Sequence, residues 1–94
     1  MIARAVAAAL VLLAIAGAAR ADLIIGGDVP PWPYDHPYAG KLVIKRANIG
    51  WQGIAYPGVG TCLVYINTHL NVPYATVLRH EIGHCNGWPA SHAR

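Results

Sequence analysis

The run His80-Glu81-Ile82-Gly83-His84 places two imidazoles four residues apart with a carboxylate beside the first, and a further histidine, His92, follows. On a helix, residues four apart share one face about one turn from each other, so both rings can reach a single metal ion. Glu81 is offset from His80 by about 100° around the helix axis. That sets its carboxylate beside the metal, where it can take a proton from a water molecule. The chemistry implied is metal-assisted hydrolysis, with zinc (Zn2+) the ion that suits imidazole ligands and an adjacent base.

The flanking residues define the element that must carry this group. Asn71-Val72-Pro73 supplies a helix start, since a proline in the first turn forfeits no hydrogen bond. Gly87 supplies a stop at the left-handed position after the last turn. The expected helix is 73–86. Around its axis Tyr74, Leu78, Ile82 and Cys85 form an apolar stripe, with His80, His84 and Val77 on the flank. Ala75, Thr76, Arg79 and Gly83 face away. The pattern predicts histidines at the edge of the buried face, held by the protein and open to a substrate.

The run HEIGHCNG resembles the zincin superfamily of zinc metallopeptidases. Gly87, three residues after His84, is similar to the glycine of the metzincin branch, where the chain turns back so that a third histidine reaches the zinc. The resemblance implies His80 and His84 as metal ligands, Glu81 as the catalytic general base and Gly87 as the turn. It also implies a peptide or protein substrate that adds as a strand to a sheet edge, for which residues 63–67 or a neighbouring edge are candidates. The match then departs. The metzincin third ligand falls three residues after that glycine, where this chain has Ala90, and the only methionine is Met1, so no downstream Met-turn exists.

No acidic residue follows Glu81, which excludes a zincin arrangement with a downstream carboxylate ligand. His92 is the favoured third ligand, because Gly87 ends the helix and Trp88-Pro89 can direct the chain back toward the metal. His69, His36, Asp35 and the terminal carboxylate of Arg94 remain alternatives. Tyr65, Tyr74 and His69 are candidate oxyanion donors.

Composition sets the compartment. Residues 1–21 combine Arg4, an apolar run from Ala5 to Ala19 and small residues at Ala19 and Ala21, the pattern of a secretory signal peptide cleaved before Asp22. The apolar run is too short to span a bilayer comfortably. The expectation is a secreted or periplasmic protein with no stable membrane insertion after cleavage. An uncleaved leader holding the chain at a membrane surface is the alternative. The whole chain carries a net charge of +3, but Arg4 and Arg20 lie in the leader. The single basic pair in the remainder, Lys45-Arg46, is too small for a nucleic-acid footprint.

Residues 22–94 make one small domain, a size that needs a staple beyond its core. Cys62 and Cys85 are the only cysteines, and in an exported chain they are expected to form a disulfide. Cys85 as a metal ligand is the lesser alternative. Four prolines within about 28–39 make a Pro-rich N-terminal arm. That arm either covers the core with its aromatics or walls a substrate cleft with Asp35 or His36 near the metal.

Residues 41–46 and 61–67 read as strands, 53–56 as a further short one, and 23–25 as another candidate. Cys62, Val64 and Ile66 would face the helix. The fold class is α+β: a small sheet packed on one active-site helix, a minimal zincin-like domain. The function expected is hydrolysis of peptide bonds. The alternative is a non-catalytic zinc-binding or interaction module stapled by the disulfide.

Overall fold

The computed structural model describes residues 20–22 and 29–94. Within it, strand β1 (Arg20–Asp22) precedes a turn of 3-10 helix (Trp32–Tyr34). Then come β2 (Lys41–Ala47), β3 (Gly53–Pro57), β4 (Thr61–Asn67) and one helix, α1 (Tyr74–Cys85). The expected α+β class is what the chain adopts. The leader up to residue 19 and the candidate strand 23–25 lie outside the described residues. The expected cleavage point before Asp22 falls inside β1.

The sheet order is β1-β3-β4-β2. β3 and β4 form a hairpin through 58–60, closed by the Gly58 N–H donating to the Thr61 carbonyl at 2.8 Å. β2 lies on the other side of β4, parallel to it, with Leu42 opposite Cys62 and Ile44 opposite Val64. β4 is therefore interior, paired on both sides. That corrects the expectation that 63–67 could receive a substrate strand, because its backbone groups are already committed to β2 and β3. Among the described strands the sheet ends at β1 and β2.

Alternation decides which face is dry. Ala55, Cys62, Val64 and Ile66 are fully buried under α1 together with Val77 and Cys85. Tyr65 and Tyr56 lie on the opposite face, their rings edge to face at 6.0 Å. The buried apolar set is small, and two of its members are the cysteines. Cys62 and Cys85 are joined in the expected disulfide, with Cα atoms 5.8 Å apart. It ties the central strand to the last turn of the helix. The disulfide fits an oxidising, extracytoplasmic setting. No described helix is long and apolar enough to cross a membrane.

The Pro-rich segment straps the outer side of α1. Pro30 is buried over Gly83, so that residue is covered and does not face solvent as the helical plot suggested. Asn86 donates from Nδ2 to the carbonyls of Tyr34 and His36 at 2.9 and 2.6 Å. Arg79 donates to Asp35 along one guanidinium edge, from Nε to Oδ1 at 2.8 Å and from Nη2 to Oδ2. Hydrogen bonds from Arg79 hold the Asp35 carboxyl below its ordinary range against a smaller opposing effect of desolvation.

Two consequences are measurable. Closing a separation of 23 residues is worth about 3 kcal/mol on the chain-entropy estimate, so the double variant Cys62→Ser/Cys85→Ser is expected to lose about that much in a urea titration. The Asp35 carboxyl has a folded-state pKa below its unfolded value. Its contribution is therefore complete above about pH 4 and is lost as pH falls through the lower folded value. Arg79→Met is expected to lower the urea midpoint at pH 7, and the difference from wild type is expected to shrink as pH falls below about 4 through the lowered folded value.

Candidate metal centre

α1 begins without a side-chain cap; its first turn is closed by the Thr76 and Val77 N–H groups donating to the Pro73 carbonyl at 3.0 and 3.2 Å. Its other end is more specific. Gly87, at φ 104°, donates to the His84 carbonyl at 3.0 Å, and Trp88 donates to the Gly83 carbonyl at 3.0 Å. That pair of bonds is a Schellman motif, and the left-handed residue it needs is supplied here by glycine. The motif folds the chain back along the helix. It brings Trp88 against the histidines.

The buried face of α1 is Val77, His80, Glu81, Gly83, His84 and Cys85. The expected stripe of Tyr74, Leu78 and Ile82 is not that face: Tyr74 is exposed and the other two are half-buried. The histidines stand at the centre of the packed surface and not at its edge. The helix turns them inward because the disulfide at Cys85 and the Schellman turn at Gly87 fix its rotation. A hydrophobicity count sees neither.

His80, His84 and His92 converge. Their Nε2 atoms are 3.3 Å apart for His80 and His84, 3.3 Å for His84 and His92, and 3.2 Å for His80 and His92. For zinc–imidazole bonds of about 2.0–2.1 Å at tetrahedral angles, neighbouring nitrogens stand about 3.3–3.4 Å apart. Hydrogen bonding alone does not account for such a triangle. Each Nε2 carries either a proton or a lone pair, so among three atoms at least one pair must clash in role. A divalent cation bound by all three removes the conflict. These three residues could hold a metal ion.

The protonation pattern agrees. His84 Nδ1 lies 2.7 Å from the Trp88 carbonyl oxygen, which can only accept. In the neutral ring the proton is therefore on Nδ1, and Nε2 presents to the other two histidines the lone pair that a metal ion would take. His92 is reached through a turn in which its N–H donates to the Pro89 carbonyl at 2.8 Å. It is the one described residue other than glycine with positive φ, 59°. A histidine in that region is held there by its surroundings.

Glu81 is fully buried. Its carboxylate lies under the start of β3, where a Cβ added to Gly53 would come within 2.8 Å of Oε2 and 2.9 Å of a Val77 methyl. Only glycine lets the strand approach that closely. A carboxylate at this depth is uncommon and must be compensated by its surroundings.

Other expected participants stand elsewhere. Asp35 and His36 line an apolar groove of about 380 Å³ with Leu78, Arg79 and Ile82 on the outer side of α1. Asp35 is committed to Arg79, and the His36 ring nitrogens lie 3.0 and 3.1 Å from the carbonyls of Pro37 and Pro33. That removes both as third-ligand candidates and as a cleft wall near the metal. Tyr65 is on the far face of the sheet, which excludes it as an oxyanion donor. Tyr74 sits beneath Arg46, whose guanidinium lies 5.1 Å from its ring centre. His69 is exposed in the loop after β4. Cys85 is taken by the disulfide.

Compared with models of protein families, with curated proteins and with solved structures, the chain matches none. The protein is expected to bind one divalent ion per chain in equilibrium dialysis. His92→Ala is expected to weaken that binding by more than the 10–100-fold typical of changes outside the ligand set.

Proposed function

We propose that this chain is an exported, zinc-dependent hydrolase of peptide bonds, with His80, His84 and His92 as ligands and Glu81 as general base. The observation that carries the reading is the Nε2 triangle at tetrahedral spacing on the helix that also buries Glu81 completely. The resemblance of HEIGHCNG to zincins assigns the same roles to His80, His84 and Glu81. The disulfide and the leader-like residues 1–21 favour export into a secreted or periplasmic setting.

A zinc ion bound there supplies a Lewis acid and lowers the pKa of water at the site. Glu81 takes the proton of the attacking water and returns it to the departing amine. Its burial keeps the carboxylate away from bulk solvent. The His84 Nδ1–H bond to the Trp88 carbonyl keeps that ring in the tautomer that ligates.

A second reading is favoured by one observation: His80 and His84 are each only 1% exposed, as in a site whose metal serves folding. On that reading the protein is a non-catalytic zinc module, and Glu81 is not needed as a base.

Glu81→Gln separates the two. The hydrolase reading expects zinc content unchanged and cleavage of a peptide library reduced at least about 100-fold. A zinc-loaded wild type that cleaves nothing, or a variant as active as wild type, would establish the non-catalytic module instead.

A further inference from the structure

Trp88 touches every member of the histidine triangle. Its ring is parallel to His84 within 11° at 4.8 Å between centres, and it meets His80 at 4.9 Å and His92 at 4.8 Å edge to face. It is buried to 1% exposure and is the largest of the fully buried side chains. Its backbone carbonyl accepts from His84 Nδ1. Its indole Nε1–H donates to the carbonyl of Ala93 at 3.0 Å, one residue beyond His92. Arg94 lies over the outer side of the indole at 5.6 Å and donates to the Val29 carbonyl.

His80 and His84 are carried by a helix, which sets their spacing without help. His92 is not. It lies in the segment 88–94, which has no regular structure beyond a turn and which holds its one non-glycine residue at positive φ at the ligand itself. A ligand on such a segment binds only as well as the segment is held in place, because ordering its backbone costs conformational entropy. The Nε1–H bond to Ala93 fastens the far side of His92, and the Pro89 turn fastens the near side. The indole face between them sets the plane against which the imidazole rests.

We propose that Trp88 is the positioning residue of this centre: its indole N–H clasps the segment 88–94 so that His92 reaches the metal held by His80 and His84. The inference rests on the metal-site reading but not on hydrolysis. Phenylalanine at position 88 keeps an aromatic ring against the three histidines, and the backbone carbonyl persists. The N–H to Ala93 is deleted together with part of the indole's buried bulk, and the background without His92 separates the two losses.

The test is a double-mutant cycle on zinc affinity, measured by chelator competition on the full chain, with Trp88→Phe, His92→Ala and the pair. Trp88→Phe is expected to weaken zinc binding about tenfold, in the range found for residues that orient ligands. In the His92→Ala background it is expected to cost less than about twofold, because the clasp then positions nothing. A purely structural role would lower the melting temperature of metal-free and zinc-loaded protein alike and leave the affinity loss equal in both backgrounds. That outcome, or no loss in either, overturns the proposal while the metal site stands. A wild type that binds no zinc overturns both. Unchanged circular dichroism and an intact disulfide by mass show that each variant is folded.

Discussion

Burying two imidazoles and a carboxylate on one helix face uses a part of the molecule that a small domain needs for apolar packing. Among the described residues the buried hydrophobic ones are few: Ala55, Val64, Ile66, Val77 and Trp88, with the two half-cystines. On the same face stand His80, His84 and Glu81, all nearly or wholly excluded from solvent. Polar groups at that depth destabilise a fold unless each is satisfied. The disulfide and, on the metal reading, the bound ion offset what the core lacks, one by constraining the unfolded chain and the other by binding only the folded one.

The disulfide and the histidines share a turn of helix, and that links stability to the site. Cys85 follows His84 directly, so the bond to Cys62 on the central strand fixes the rotation of α1 at the point where His84 projects. The Schellman motif begins two residues earlier, at the Gly83 carbonyl, and ends at Trp88. Within six residues the chain is anchored to the sheet, reversed by a left-handed glycine and pressed back on its own histidines. The Trp88 carbonyl sets the His84 tautomer as a by-product of that reversal.

The two sides of α1 have different tasks. The inner side packs on β3 and β4 and carries the histidines and Glu81. The outer side, with Leu78 and Ile82, is partly covered by the Pro-rich strap, which is held by Asp35, Asn86 and Pro30. This explains why the sequence pattern named the wrong stripe. Two apolar surfaces flank the helix, and on the one with more aliphatic residues Leu78 reaches the edge of the core while Leu78 and Ile82 border the groove beside the strap, where half-burial suffices. The other gains its burial from cysteine, valine and imidazole packed under a sheet.

Local chemistry was legible without coordinates. The helix ends follow from Pro73 and Gly87, the strands from β-branched runs, and the disulfide from an even cysteine count beside a leader-like N-terminal run. The ligand spacing of His80 and His84 follows from helical geometry alone. His92 could be favoured but not fixed, since its reach depends on the Pro89 turn, a left-handed backbone and the clasp to Ala93, none of which has a residue signature. The sheet order, with β4 interior and Tyr65 turned away from the helix, is set by long-range pairing, and the same strands in another order would alternate equally well. What the sequence determined was the set of groups able to do chemistry. The tertiary structure decided which of them meet, because convergence of side chains distant in sequence depends on packing and register, which local propensity does not encode.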